Sequence, residues 1–328
     1  MQGSFVRTSS SPQGPMSPRP SFVDELEPRT VVRVAVVMTP EGVRRTPSST
    51  VSGTGTSARS SRERARLLCL ALAAAAACGD SPSGPDGREP PEVLTPGTGL
   101  YTYRVVDAYP HDPEAFTQGL VLDDGVLFEG TGLRGRSSLR RVDLETGDVL
   151  QRRDLDPDLF GEGITAFGDR ILQLTFTSNT AIAWDRTDFV QEGTFSYGGE
   201  GWGLTHDGTH LVMSDGTATL TFRDPDTFEI VRQIHVWADG APVDRLNELE
   251  YVDGHVLANV WLTDRIAVID PASGDVVSWL DLAGILPPED RPGTDVLNGI
   301  AVDPDAGHLL VTGKLWPRLF RIELVPVE

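Results

Sequence analysis

Five short motifs in the C-terminal two thirds of the chain each carry a residue type that can take part in chemistry. These residues are Gln118, Glu162, Trp202, Asn247 and Asn298. A carboxylate can take up and return a proton, an amide can bind and orient polar groups, and an indole can form an apolar wall. Alone, each side chain is more typical of a turn or a packed core. Their function therefore depends on whether the fold brings them together.

The motifs recur at nearly regular intervals. With Gly119, Gly163, Gly203, Leu249 and Gly299 as anchors, the spacings are 44, 40, 46 and 50 residues. Short runs rich in Val, Ile, Leu, Phe and Thr alternate with Gly, Asp and Asn turns between them, and no helical periodicity is sustained. Repeats of this length built only from strands predict an all-β fold, a five-bladed β-propeller. The first strand of each blade lines the central channel, so the five motifs converge at one mouth.

The last repeat stops one strand short of a four-stranded blade, after residues 320–324. Something must cover this open edge. The extended segment 101–106 is the candidate, so we predict that an N-terminal strand completes the last blade and closes the ring. Asp-rich turns at residues 143–148, 224–228 and 270–275 fall at corresponding places in three repeats and support the assignment.

A leader precedes the repeats. Residues 1–60, rich in Ser, Thr, Pro and Arg, are expected to be disordered or to result from a start codon assigned too far upstream. Residues 61–78 have the layout of a signal peptide: three arginines, then an apolar run too short to span a bilayer. The run ends in alanines before Cys78, which leaves two outcomes open, lipidation of Cys78 as in bacterial lipoproteins or ordinary cleavage. Residues 79–98 are expected to form a flexible linker, and residues 99–328 the propeller domain.

Charge and cysteine content exclude several classes of function. Both cysteines, Cys69 and Cys78, lie in the leader, so the folded domain is expected to contain no disulfide and no thiol nucleophile. Residues 1–78 hold 10 of the 28 basic and 5 of the 48 acidic residues, which leaves 18 against 43 and a net charge of −25 beyond residue 78. Nucleic acid is not an expected partner, because phosphate binding needs a basic surface. An exported protein, in the periplasm or at the cell surface, is expected.

The motifs, in this order, resemble the glutaminyl-peptide cyclotransferases (glutaminyl cyclases) of plants and bacteria. The strings that carry the resemblance are residues 116–120, 128–132, 160–165, 199–204, 213–217, 245–250, 258–261, 295–301 and 312–317. The resemblance implies a five-bladed propeller enzyme that converts N-terminal glutamine to pyroglutamate and releases ammonia without a metal or cofactor. It implies as partners peptides and proteins with a free N-terminal glutamine, and we expect a monomer that meets a membrane only through an anchor at Cys78.

The resemblance also implies the site residues. They are Phe116, Gln118, Glu162, Trp202, Asn247, Trp261 and Lys314. Glu162 is the expected proton shuttle, and Lys314 and Asn247 the expected donors to the γ-carbonyl oxygen. The aromatic residues would enclose the glutamine methylenes and Gln118 would orient the substrate. Phe176 stands where the family usually has tryptophan, which keeps an apolar wall but removes an indole N–H.

Two other functions compete with this interpretation. A propeller hydrolase of the lactonase type would hold a divalent cation with inward oxygen ligands, and Glu162, Asn247 and Asn298 resemble such a set. Trp202 and Gln118 occupy two of the five inner positions, however, and Lys314 would repel the metal. A non-enzymatic propeller that binds peptides at the same mouth is the second alternative, since fold alone does not fix function.

Overall fold

The computed structural model describes residues 91–95 and 97–327, which form five four-stranded antiparallel blades. The leader of residues 1–60, the expected signal peptide with Cys78, and the linker up to residue 90 lie outside the described residues. Within the described residues, no helix is long and apolar enough to cross a membrane. The prediction of an all-β five-bladed propeller is confirmed.

The first three blades follow one another along the chain, after strand β1 (Leu100–Pro110). Blade 1 contains β2 (Thr117–Asp123), β3 (Val126–Thr131), β4 (Ser138–Val142) and β5 (Val149–Asp154). Blade 2 contains β6 (Gly161–Phe167), β7 (Arg170–Thr175), β8 (Thr180–Asp185) and β9 (Gln191–Ser196). Blade 3 contains β10 (Leu204–His206), β11 (Leu211–Ser214), β12 (Thr219–Arg223) and β13 (Ile230–His235).

A small hairpin of β14 (Trp237–Ala238) and β15 (Ala241–Pro242) separates blades 3 and 4. Blade 4 contains β16 (Leu246–Val252), β17 (His255–Val260), β18 (Arg265–Ile269) and β19 (Val276–Asp281). A short 3-10 turn, Pro288–Asp290, lies in the connection to blade 5. Blade 5 contains β20 (Leu297–Asp303), β21 (His308–Gly313) and β22 (Arg318–Pro326), with β1 as its fourth strand.

Strand β1 closes the ring as the sequence predicted. It pairs antiparallel with β22, where Tyr103 lies opposite Leu324 and Ala108 lies opposite Phe320. A short parallel contact with β19, at Leu100 and Tyr101, also joins blades 4 and 5 into one eight-stranded sheet. Because β1 satisfies the N–H and C=O groups of the β22 edge, the ring is held by backbone hydrogen bonds as well as by side-chain packing.

The burial pattern explains why the strands take these places. The innermost strands β2, β6, β16 and β20 are buried almost throughout, whereas the outermost strands β5, β9 and β13 are mostly exposed. Apolar side chains of adjacent blades pack against each other, as Val121 and Phe128 of blade 1 do with Ile164 and Ile171 of blade 2. The hydrophobic core therefore lies between blades, and it fixes each inner strand against its neighbours.

The inner strands approach so closely that most of them need a glycine. A Cβ atom on Gly119 would lie 2.5 Å from the backbone nitrogen of Ile164, and one on Gly203 would lie 2.0 Å from the carbonyl oxygen of Asn247. Both distances are far shorter than atoms tolerate. Replacing either glycine by alanine would therefore force the inner strands apart.

Blade 4 departs from this pattern, and it corrects one anchor of the repeat. Leu249, Ile164 and Ile300 each resume strand pairing after an equivalent bulge. The residue of blade 4 at the glycine position is therefore Glu248, and the anchor Leu249 was wrong by one residue. The side chain of Glu248 is fully buried among the inner strands of the other blades.

Ordered packing begins before the expected domain boundary at residue 99. Val93 and Leu94 are buried, and both of their backbone N–H groups donate to the Oδ2 atom of Asp253, at 2.7 and 2.8 Å. The Tyr101 hydroxyl donates to the carbonyl oxygen of Thr95 and accepts from its N–H. These contacts attach the chain before β1 to blade 4, so residues 93–95 of the expected linker pack on the folded domain.

Candidate active site

The predicted site residues come from two kinds of segment at one end of the channel. Gln118, Glu162 and Asn247 lie near the start of the inner strands β2, β6 and β16. Phe176, Trp261 and Lys314 lie in the loops that follow the second strands β7, β17 and β21. Since first and second strands are antiparallel, the start of one lies beside the end of the other, as Gly161 does with Thr175. The fold therefore brings both sets to the same mouth.

A continuous row of aromatic rings forms one wall of this mouth. The ring centroids of Phe116 and Phe160 are 6.2 Å apart, those of Phe160 and Phe176 5.8 Å, and those of Phe176 and Trp202 6.5 Å. Trp261 follows, edge-on to Trp202 at 5.6 Å. All are buried except Trp261, which is half-buried. These spacings suit edge-to-face packing and leave an apolar surface that a substrate's methylene groups can contact.

Phe160 was not among the predicted site residues, although it links two rings that were. It precedes Glu162 by two residues, just as Phe116 precedes Gln118. That correspondence between two repeats was the signal that could have identified it. Gly132 makes room for Phe160, since a Cβ atom there would lie 2.5 Å from its ring.

Gly216 in the neighbouring loop has no side chain, so this loop can lie against the indole ring of Trp202. A Cβ atom on Gly216 would lie 2.6 Å from the indole ring, and the backbone at Gly216 has a φ of +77° that favours glycine. The indole N–H donates to the Oε2 atom of Glu200 at 3.0 Å. Glu200 is exposed at the rim, and sequence reasoning assigned it no role.

Glu162 is the buried acidic group of the site, with 2% of its surface exposed. Burial raises the pKa of Glu162 well above its ordinary value, the Lys314 ammonium opposes this rise, and the charge of Glu200 adds to it. A carboxyl group shifted in this direction keeps its proton more readily than an exposed glutamate does. That property is what a proton shuttle requires when it acts as the acid.

Lys314 is the single lysine of the chain; the other 27 of its 28 basic residues are arginines. Its side chain is 1% exposed, and its Nζ atom lies 4.9 Å from the centroid of the Phe116 ring. Burial lowers the pKa of Lys314 to about 8, while the charges of Glu162 and Asp295 oppose the fall. Because every other member of the Lys and Arg set is arginine, the single lysine was a signal of function that the sequence itself offered.

Three buried amides complete the mouth. Asn298 donates from Nδ2 to the carbonyl oxygen of Thr117 at 3.0 Å and to Oε1 of Gln118 at 3.4 Å. Within the described part of the chain, Gln118 Nε2 and Asn247 Oδ1 are buried without a hydrogen-bond partner. A buried polar atom without a partner costs free energy unless a ligand satisfies it. Both amides are thus suited to bind a polar substrate.

Other buried carboxylates of the inner strands serve the fold. Glu248 accepts hydrogen bonds from the N–H groups of Leu120 and Ile300, at 3.2 and 2.8 Å, and Glu250 accepts one from Val302. Neither was assigned a catalytic role from the sequence. Across residues 91–95 and 97–327, no group of three or more His, Cys, Asp or Glu side chains is arranged to hold a metal ion.

Residues 70–324 match the family model of glutamine cyclotransferases. The chain belongs to the glutamine cyclotransferase family. It is 46% identical over 226 residues to the glutaminyl-peptide cyclotransferase of Arabidopsis thaliana, and the aligned region covers 67% of this chain and 70% of that protein. It is similar to the crystal structure of Myxococcus xanthus glutaminyl cyclase, with 39% identity and a TM-score of 0.66, over 70% of this chain and 100% of that one. The family predicted from the nine motifs is confirmed.

Proposed function

We propose that this domain converts N-terminal glutaminyl residues of peptides and proteins into pyroglutamate, with Glu162 as the proton shuttle and no metal ion. The observation that carries the proposal is a fully buried carboxyl group whose pKa is raised, beside a buried lysine, in a mouth walled by aromatic rings. Family membership supports the reaction itself.

In this reaction the α-amine of the substrate attacks its own γ-carbonyl carbon. A C–N bond forms and closes a five-membered ring, and the carbonyl oxygen becomes an oxyanion. The C–N bond to the side-chain nitrogen then breaks, and that nitrogen leaves as ammonia after gaining a proton. The enzyme must therefore fold the side chain, move one proton and stabilise negative charge on oxygen.

Glu162 accounts for the proton transfer. Its carboxylate accepts the proton that the attacking amine loses, and the resulting carboxylic acid returns it to the departing nitrogen. Burial supports the second step, because it raises the pKa of Glu162 and so favours the protonated form that donates to the departing nitrogen. One group therefore acts first as base and then as acid.

Lys314 and Asn247 account for the oxyanion. The Lys314 ammonium and the amide of Asn247 are both buried, so a hydrogen bond or charge directed at the γ-oxygen is weakened little by water. The aromatic wall holds the methylene groups in the curled geometry that the attack needs. Gln118, with its unsatisfied Nε2, orients the substrate.

Phe176 fills the wall position that tryptophan usually occupies in this family. Its ring contacts both Phe160 and Trp202, which preserves a continuous apolar surface. We propose that the side chain of Phe176 contributes by packing, since a phenylalanine side chain has no N–H group like that of an indole.

A metal-dependent lactonase-type hydrolase would need several oxygen ligands around one cation. The positive charge of Lys314 next to Glu162 opposes such a site, which supports a reaction that requires no metal. A propeller that only binds peptides would need the mouth but not the paired Glu162 and Lys314. We further propose that the protein is a monomer. We also propose that it is exported, with lipidation of Cys78 or ordinary cleavage as the two outcomes; both depend on the sequence of the leader, which lies outside the described residues.

One experiment separates the three functions. The purified protein is incubated with a peptide that begins with glutamine, with and without a chelator, and ammonia and peptide mass are followed. We expect ammonia release that the chelator leaves unchanged, and none from the same peptide carrying an acetylated amine. Activity abolished by the chelator would support a metal enzyme, and tight peptide binding without ammonia release would support a binding protein.

A further inference from the structure

A network of four charged side chains, of which His111, Glu129 and Arg140 are buried and Asp112 is half-buried, lies behind the site, and the proposed chemistry does not use it. Its central residue is His111, which follows strand β1 and is 8% exposed. The Nδ1 atom of His111 lies 2.7 Å from the carbonyl oxygen of Trp316, and its Nε2 atom lies 3.0 Å from Oε1 of Glu129. A carbonyl oxygen only accepts hydrogen bonds, so Nδ1 must carry a proton.

The surroundings of Glu129 require a proton on Nε2 as well. The Thr117 hydroxyl donates to Oε1 of Glu129 at 2.7 Å, and the Arg140 guanidinium lies 3.6 Å from Oε2. These neighbours favour an ionised Glu129: burial raises its pKa, but the charge and hydrogen bond of His111, the charge of Arg140 and the hydrogen bond of Thr117 lower it below its ordinary value. A carboxylate cannot donate a hydrogen bond, so His111 must donate from both nitrogens and carry a positive charge.

The charge count of the network agrees with this state. Arg140 also pairs with Asp112 at 2.8 Å, so the charged groups facing one another are Glu129 on β3, Arg140 on β4, Asp112 and His111. With a protonated His111 the four groups sum to zero. Without that proton the buried network would carry a net negative charge, which is costly in a low-dielectric interior.

The network fixes the loop that carries Lys314. Two backbone hydrogen bonds add to the contact of the His111 ring with Trp316. The backbone N–H of His111 donates to the carbonyl oxygen of Pro317 at 3.0 Å, and the backbone N–H of Leu315 donates to the carbonyl oxygen of Ala115 at 2.7 Å. The same segment leads into Phe116 and Gln118. The Lys314 loop and the Phe116 segment are therefore joined side by side, with the His111 ring between blade 1 and blade 5.

We propose that protonated His111 is a positioning residue that holds the Lys314 loop in its reactive place by donating to both Trp316 and Glu129. When His111 loses a proton, the remaining one stays on the nitrogen that faces the Glu129 carboxylate, because that hydrogen bond is charge-assisted. The Trp316 carbonyl then faces a lone pair, and the loop is partly released: it loses this hydrogen bond but keeps the backbone hydrogen bonds of Pro317 and Leu315. Burial opposes the charge on His111, but Glu129 and Trp316 raise its pKa above the ordinary value, so this release is expected on the alkaline side.

This inference rests on the proposed role of Lys314, and the test includes readouts that do not need activity. In wild-type protein with ¹⁵N-labelled histidine at pH 7.5, where an ordinary imidazole of pKa about 6.5 is mostly neutral, we expect His111 to carry both ring protons. We also expect the indole N–H signal of Trp316, assigned with a Trp316→Phe variant, to shift as His111 titrates. A neutral His111 at this pH, or a Trp316 signal unmoved by the titration, would overturn the proposal.

Kinetics supply the functional readout. We expect His111→Gln to lower kcat about 10- to 100-fold at pH 6 with a smaller change in KM, as misplacement of a catalytic group does. The ratio of wild-type to variant kcat should fall as pH rises, because the wild type then loses the same hydrogen bond. A ratio independent of pH would overturn the positioning role.

Two controls keep the result interpretable. His255→Gln changes a half-buried histidine on β17 whose Nδ1 atom lies 2.9 Å from the Asp253 carbonyl oxygen, and it should leave kcat unchanged at every pH. If His111→Gln does not fold, Thr117→Val removes one donor to Glu129 and should shift the His111 titration without touching the ring; an unchanged titration would overturn the network. A wild-type protein without cyclase activity would refute the proposed function, whereas the two NMR signals would still decide the His111 inference.

Discussion

Two carboxyl groups at neighbouring levels of the same channel show how position decides what a buried acid can do. Glu162 in blade 2 and Glu248 in blade 4 are both buried on inner strands, and the pKa of each is raised well above its ordinary value by burial. The charges of Lys314 and Glu200 act further on Glu162. The repulsion of Glu250 acts on Glu248, against two backbone N–H hydrogen bonds.

The difference lies in what holds each side chain. Both oxygens of Glu248 accept from the backbone, one from Leu120 in blade 1 and one from Ile300 in blade 5, so this carboxyl group connects three blades across the channel. Glu162 lies near the start of β6 at the mouth, where the charges of Lys314 and Glu200 act on it. A carboxyl group fixed by the backbone stabilises the ring, whereas one influenced mainly by burial and a cation remains available to exchange protons with a substrate.

The largest contrast is expected from the same substitution at the mouth. Glu162→Gln keeps the shape of the side chain but removes the proton shuttle, so turnover of a Gln-initiated peptide should fall about 10²- to 10⁴-fold. The protein should stay folded, because glutamine has the same shape as glutamate; the pKa of Lys314 should fall further, since the charge of Glu162 now raises it. Ammonia release and circular dichroism measure the two effects. Glu192→Gln on the exposed strand β9 is the matched control, and near-normal turnover by Glu162→Gln would contradict the mechanism.

Lys314→Met tests the second half of the pair. Methionine has a similar length and can pack against Phe116, but it cannot stabilise an oxyanion, so kcat should fall about 10²- to 10³-fold. Loss of the ammonium should also raise the pKa of Glu162 further, because Lys314 now lowers it. Arg152→Met, which removes an exposed cation from the outermost strand β5, should have little effect. Equal losses in the two variants would mean that charge in general, and not Lys314, is required.

Glu248→Gln should give the opposite result to Glu162→Gln. The glutamine amide has only one oxygen, so either the Leu120 or the Ile300 N–H loses its acceptor, at a cost of about 1–3 kcal/mol in the free energy of unfolding. For a domain of this size, the melting temperature should drop by several degrees. Turnover per folded molecule should remain within a few-fold of wild type. A variant that is fully stable but inactive would show that Glu248 belongs to the reaction.

Glu200→Gln should have the smallest effect on turnover of the four substitutions, and it tests whether a nearby charge shifts the pKa of Glu162. Glutamine can still accept from the Trp202 indole, but it removes a charge that raises the pKa of Glu162. The Glu162 pKa should therefore fall, and the acid limb of the kcat/KM profile should move to lower pH. Because Glu200 is exposed, the shift should shrink as salt is added. An acid limb that stays in place at low salt would exclude an electrostatic effect of Glu200 on Glu162.

The sequence determined the repeat and the closing strand, and it indicated which residues to consider for the site. Strand-length apolar runs between turns give a period that only a propeller satisfies, and the missing strand of the last repeat required a partner such as β1. Gln118, Glu162, Trp202 and Asn247 were identified because the repeat places them at equivalent positions. Trp261, Lys314 and Phe176 followed from the resemblance to the family, since residues in the loops after the second strands share no common type.

Only the tertiary structure decided what each polar residue contacts. Glu162 and Glu248 look alike in sequence, each preceding an apolar residue of an inner strand by one or two positions. Their different surroundings arise because blade 4 lacks the glycine that the other blades have, which directs the Glu248 carboxyl group at backbone N–H groups from blades 1 and 5. His111 likewise has no motif of its own, since its charge depends on Glu129 and Trp316, which are 18 and 205 residues away along the chain. Hydrogen bonds and burial depend on atoms within a few ångströms in space. They can therefore be assigned only when the tertiary structure shows which distant segments pack together.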